Sequence, residues 1–224
     1  MSVPQQNVQA SPATSDGPGG GLGSTLFRAA WLAILLGFVM EALLLLFAAG
    51  FGILPGIKPI AADLVRQVSW STFVCVGLAI GTAVSQARVP LMGIIGILAA
   101  PLAFSISRSL HQGTVKALEI AGAGSDTTPV LALALLKALE YGCLGATIGW
   151  IGGRSWGGLG AHVSAGLVIG IVFGSAIVAL AYSTAPEPLA TPDLVTRGVN
   201  EILFPVGCAL VLFSATAVGK RVAS

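Results

Sequence analysis

Residues 129–153, PVLALALLKALEYGCLGATIGWIGG, make an apolar run long enough to cross a bilayer, yet they carry Lys137 and Glu140 near the middle and a ladder of glycines beyond. A hydrocarbon core of roughly 30 Å takes about 20 helical residues. An ionised side chain at the centre of such a helix costs about 2.5–3.5 kcal/mol on insertion scales, so two of them imply a partner, a cavity or a chemical task. Successive helical residues turn by about 100°. Lys137, Glu140, Tyr141, Leu144 and Ile148 therefore share one face, and Gly142, Gly145, Gly149 and Gly153 share another, roughly opposite. Neither face gains anything from lipid, which predicts a central position for this helix.

The rest of the chain repeats the apolar theme. Of its 224 residues 55% are hydrophobic and 9% charged, and the mean hydropathy is +0.92, which leaves too few polar side chains to cover a soluble globule. Six apolar runs predict an all-α polytopic membrane protein with six transmembrane helices, expected near 29–54, 68–87, 89–107, 129–153, 161–182 and 194–218. A transmembrane barrel would need short alternating segments, and these runs are apolar all round. Residues 1–23 are rich in Pro, Gly, Ser and Gln and read as a disordered tail preceding one six-helix domain, 24–224. The tail has neither the basic start and apolar core of a secretory signal nor the arginines of a mitochondrial presequence, so cleavage is not expected. Within the polar stretch 108–128, VKALEIAG reads as a short interfacial helix. Prolines inside the third and sixth spans, Pro101 and Pro205, predict kinks.

Several function classes drop out. A net charge of +2 with scattered basic residues points to no nucleic-acid partner. Cys75, Cys143 and Cys208 lack CxxC spacing and read as small packing residues. The two histidines, His111 and His162, fall near opposite membrane boundaries, which does not suit haem ligation across helices, and no metal cluster or cofactor motif is present. GCLGATIGWIGG followed by AHVSAGLVIG has the glycine cadence of the rhomboid intramembrane proteases. The serine position of that pattern is Leu144, however, and His162 follows too soon for another helix to intervene, so no enzyme is expected.

Three intramembrane charges remain: Glu41 in the first span, and Lys137 and Glu140 in the fourth. One lysine neutralises one carboxylate, and the second must hold a proton or a cation, as in carriers that load protons, or else the group is a structural ion pair fixing helix register. Asn200 and Glu201, near the start of the sixth span, are a candidate entrance, or alternatively an interfacial cap. Small-residue spacings place helix packing at Gly77 and Gly81, at Gly145, Gly149 and Gly153, and at Gly166, Gly170 and Gly174, with the fourth span expected to meet the fifth along its glycines. The first and fourth spans superpose Glu41 on Glu140, suggesting an inverted 3+3 repeat. DLVRQVSWSTF near Asp63 also resembles DLVTRGVNEILF near Asp193, which suggests repeated helix pairs instead.

The expected function is that of a membrane transporter or channel for a small solute or ion, proton-coupled through Glu41 and Glu140 with Lys137 as counter-charge. The alternative is a non-transporting subunit, such as a scaffold, assembly factor or anchor, whose glycine faces bind partner helices; a homo-oligomer is also compatible. Basic residues split evenly between the two sides, but arginines in the short connections place both termini in the cytoplasm, in what reads as a bacterial inner membrane.

Overall fold

Each apolar run folds as one α-helix in the computed structural model, which describes residues 19–82, 88–120 and 129–222. The helices are α1 (Gly19–Gly50), α2 (Ile57–Gly81), α3 (Arg88–Ala117), α4 (Val130–Ile151), α5 (Leu159–Thr184) and α6 (Thr191–Val222). All six are long and apolar enough to span a membrane. Large apolar side chains such as Leu46, Leu98, Leu131, Val168 and Val172 point outward, as lipid contact requires. The protein is an all-α integral membrane protein.

The helices alternate between an inner and an outer position. α2, α4 and α6 touch one another at the centre; α1 packs against α2 and α6, α3 against α2 and α4, and α5 against α4 and α6. Burial follows this order: 44–50% of the apolar window is buried in the inner three helices, against 22–28% in the outer three. The expected central position of α4 is borne out. Trp70 of α2 holds the centre, edge-on to Tyr141 of α4 at 5.5 Å and to Phe204 of α6 at 6.3 Å between ring centroids.

Glycines set which helices come closest, and here one expectation is overturned. The glycines of α4 meet α3, not α5. A Cβ at Gly145 would run into the Met92 backbone and one at Gly149 into Arg88 and Val89, while Gly93 and Gly96 of α3 lie on Ala146 and on the Tyr141–Gly142 backbone. Gly77 and Gly81 of α2 approach α3 from its other side, at Ala99 and Met92. Gly166, Gly170 and Gly174 of α5 instead pack on α6, against Val206, Ile202 and Glu201. Gly153 packs on no other helix; a Cβ there would meet only the Trp150 carbonyl of its own turn. Small residues permit close approach without choosing a partner.

Helix ends also differ from expectation. α1 is helical from Gly19, inside the stretch expected as a tail, and residues 1–18 lie outside the described residues. It stops before the Pro55–Gly56 pair because Gly52 takes φ 72°, which lets the Ile53 amide reach back to the Ala48 carbonyl. α2 starts at Ile57, so Lys58, Asp63 and Arg66 belong to a helix rather than to a connection. α3 does not end near 107; it absorbs the start of the expected interfacial helix and stops at Ala117, where Glu119 takes φ 52° and the Ile120 amide bonds to the Val115 carbonyl. Residues 121–128 lie outside the described residues. α3 and α6 run through Pro101 and Pro205.

A Gly170→Ala substitution places a methyl group on the Ile202 backbone of α6 and is expected to destabilise the fold by about 1–3 kcal/mol. Gly50→Ala, where a Cβ meets nothing within 4 Å, changes stability by less than about 0.5 kcal/mol. Thermal unfolding of the two variants in detergent checks the contrast.

Candidate functional site

Lys137 and Glu140 lie one turn apart on α4, which brings their side chains together on the inner face, with Lys137 Nζ donating to Glu140 Oε2 at 2.9 Å. The second acceptor comes from another helix. α6 starts at Thr191, with Pro192 and Asp193 in its first turn, a composition suited to a helix N-terminus. That start sets Glu201 about 15 Å along the helix at 1.5 Å per residue. Lys137 donates to Glu201 Oε2 as well. Glu201 is therefore not a boundary residue, as expected from the sequence, but the third member of a buried cluster. Its neighbour Asn200 accepts a hydrogen bond from Gln67 Nε2 of α2 at 2.8 Å, tying the third inner helix into the site.

The cluster is electrostatically incomplete. One ammonium faces two carboxylates, and Glu140 Oε1 is buried without a hydrogen-bond partner. The rings of Trp70 and Tyr141, 5.5 and 5.7 Å from Lys137 Nζ, add cation–π stabilisation to the ammonium but nothing to the carboxylates. Exposure divides the two acids: the Glu140 side chain is 0% exposed and that of Glu201 is 11% exposed.

Glu201 and Lys137 form part of the floor of a cavity of about 740 Å³. It lies among the N-terminal halves of α2, α4 and α6 and the C-terminal part of α3, so it opens toward the face opposite the N-terminus. From Asp193 at its rim to Phe204 at its floor it follows α6 for about 16 Å, roughly half a hydrocarbon core. Trp70, Phe104, Leu133 and Phe204 make the apolar part of its wall, and Arg66, Arg108, Lys116 and Arg197 the basic part. Arg108 and Lys116 reach it because α3 continues past the point where its apolar run ends. Below the floor the bundle is closed by Leu78, Met92, Leu144 and Leu212 and by the thiols of Cys75 and Cys208, which touch at 3.2 Å. Cys143 is exposed on the outer surface.

Glu41 stands apart from this cluster. It follows Gly37, which packs on Val68 of α2, by one turn toward the cavity-side end of the bundle, and it is buried with Oε2 lacking a hydrogen-bond partner. Asp63 and Arg66 are the charges that act on it. Asp63 in turn pairs with Arg66 at 3.0 Å and lies 3.3 Å from His111 Nε2. Of the expected trio, then, the structure joins Lys137 and Glu140, exchanges Glu41 for Glu201, and leaves Glu41 in the α1–α2 seam. The signal available in the sequence was the matched depth of Glu201 and Lys137, each several residues into an inner helix that starts from the same side.

The chain matches no protein-family model, no curated protein and no solved structure.

Removing the ammonium from a buried cluster leaves its acids uncompensated, so Lys137→Met is expected to destabilise the protein by about 3–5 kcal/mol. In double-mutant cycles by thermal unfolding, Lys137→Met couples to Glu201→Gln by about 0.5–3 kcal/mol, whereas Lys137→Met and Glu41→Gln add to within about 0.5 kcal/mol.

Proposed function

We propose that this protein is a transporter that moves a small solute together with protons, using Lys137, Glu140 and Glu201 as the coupling group. One observation carries the reading: an open cavity leads from one face to a buried, charge-imbalanced cluster at about mid-membrane depth, and the opposite half of the bundle is closely packed. An ion pair needed only for helix register gains nothing from a cavity leading to it. Intramembrane carboxylates beside water-filled cavities are the usual elements of proton relays. A site near the midplane reached from one side is what alternating access requires.

Location and topology follow the same reading. The protein sits in a bacterial inner membrane with both termini in the cytoplasm and the cavity facing outward. Arg88 and Arg154 hold the terminus side in or beside short connections, with Arg28 in the N-terminal part of α1, while Arg66, Arg108, Lys116 and Arg197 on the other side line the cavity and so serve the site rather than topology. The protein is not an enzyme in this reading, and Lys137 acts as a counter-charge.

Two measurements test this. In proteoliposomes holding a pH-sensitive dye, the wild type shows solute-dependent proton movement that the Glu140→Gln, Glu201→Gln double variant lacks; unchanged proton movement in that variant sinks the mechanism. Isolation as a stoichiometric complex with other membrane proteins, with no flux by the purified chain, favours the non-transporting subunit. For topology, Gln112→Cys in a cysteine-free background is expected to react with an impermeant maleimide added to intact cells, and Gly160→Cys only after the membrane is opened.

A further inference from the structure

The cavity is unequal in charge. Its wall carries Arg66, Arg108, Lys116, Arg197 and Lys137 against Asp193 and Glu201; Asp63 pairs with Arg66 and Glu140 with Lys137 from outside the wall, which leaves a smaller excess of positive charge. A narrow site with walls of low dielectric focuses such an excess and raises the local concentration of anions. Guanidinium groups match the planar carboxylate in shape and donor spacing, and three of the four cations above the floor are arginines. Below them lie Trp70, Phe104 and Leu133, with Phe204 at the floor, and these suit an apolar body.

The floor has one exchangeable position. Lys137 holds Glu140 on the sealed side and Glu201 on the cavity side. Of the two carboxylates on the ammonium only Glu201 lines the cavity, so its place on Lys137 is the one an arriving carboxylate meets. We infer that the substrate is a small organic monocarboxylate with an apolar body, and that its carboxylate takes the place of Glu201 on Lys137 while Glu201 receives the co-transported proton. This rests on the transport reading above and adds the substrate class to it.

The charges balance. With both acids ionised, the cluster carries one positive and two negative charges. Proton uptake forms an O–H bond on Glu201 and brings the sum to zero; the hydrogen bond from Lys137 to Glu201 is then replaced by one to the substrate carboxylate, and the sum returns to minus one. The buried site thus bears the same charge empty and loaded, so the desolvation cost of an added ion is avoided. A dicarboxylate would bring a second charge with no partner at the floor, a cation would meet the basic wall, and a neutral solute would leave Lys137 one acceptor short.

The groups facing Glu201 agree with exchange at this position. From α4 they are Lys137, Glu140 and Tyr141; across the cavity, Arg66 from α2 and Arg108, His111 and Lys116 from α3; on α6 itself, Asp193 and Arg197 nearer the mouth. α5 presents Gly174 to its Cβ, with no ionisable group. On α1, Glu41 answers to Asp63 and Arg66 instead, and the thiols of Cys75 and Cys208 lie on the sealed side.

The test uses the full chain in phosphatidylcholine nanodiscs, which supply no anionic headgroup, with benzoate, 2-naphthoate, benzamide and benzylammonium as probes. Calorimetry in two buffers of different ionisation enthalpy reads protons taken up per ligand. At least one of the two carboxylates is expected to bind with uptake of about one proton and to weaken up to tenfold per pH unit under alkaline conditions; benzamide and benzylammonium are not expected to bind. Glu201→Gln keeps carboxylate binding and loses the proton uptake, and Arg108→Gln, at the mouth and away from the buried cluster, weakens it without loss of fold. Failure of both carboxylates to bind, binding of benzamide or benzylammonium equal to theirs, or uptake unchanged in Glu201→Gln overturns the inference. Failure of the transport reading looks different: carboxylate binding with proton uptake, but no flux of the same compounds in proteoliposomes. Proton-coupled flux of a cation or neutral solute, with neither carboxylate bound, removes the inference and leaves transport standing.

Discussion

Lys137 is an ammonium in the interior of a membrane protein, and it has to be neutralised from close range. Glu140, one turn away on the same helix, supplies one carboxylate; the other, Glu201, comes from α6. α4 and α6 touch over a short length only, so the lysine is a main link between them at the centre. Around that link the outer helices close the ring, and Trp70 places the third inner helix against both partners. A charge needing neutralisation thus organises helices whose apolar surfaces, in lipid, have little hydrophobic reason to prefer one another.

Backbone geometry supports the same spot. The glycine row of α5 lets its backbone lie directly on α6 from Glu201 to Val206. Within that stretch Pro205 has no N–H to offer the carbonyl four residues earlier, which belongs to Glu201. Glu201, at the cavity floor, therefore sits where α6 is held closely from outside and lacks one bond within.

The two halves of the bundle differ in kind. On the cavity side, α2 and α3 are longer than their apolar runs, and the extra turns carry Asp63, Arg66, Arg108, His111 and Lys116 into and around the vestibule. On the terminus side the inner faces are apolar and close-packed: Leu78, Met92, Leu144 and the paired thiols fill the centre. Gly77, Gly81, Gly145 and Gly149 clasp α3 from both sides, the first two on the side chains of Ala99 and Met92 and the others on the backbone at Met92 and at Arg88–Val89.

Composition and run length determined from the sequence alone that six helices span a membrane, because apolarity and length are properties of each segment by itself. The inward face of α4 was legible for the same reason: Lys137, Glu140, Tyr141, Leu144 and Ile148 share one side of any helix, whatever surrounds it. Tertiary structure decided everything that depends on which segment lies beside which. The glycines of α4 chose α3 over α5, since small residues permit approach without specifying a neighbour. Glu41 and Glu201 exchanged roles because depth along a helix is legible in the sequence, whereas its rotation and neighbours are set by packing: Glu41 turns into the α1–α2 seam and Glu201 onto Lys137.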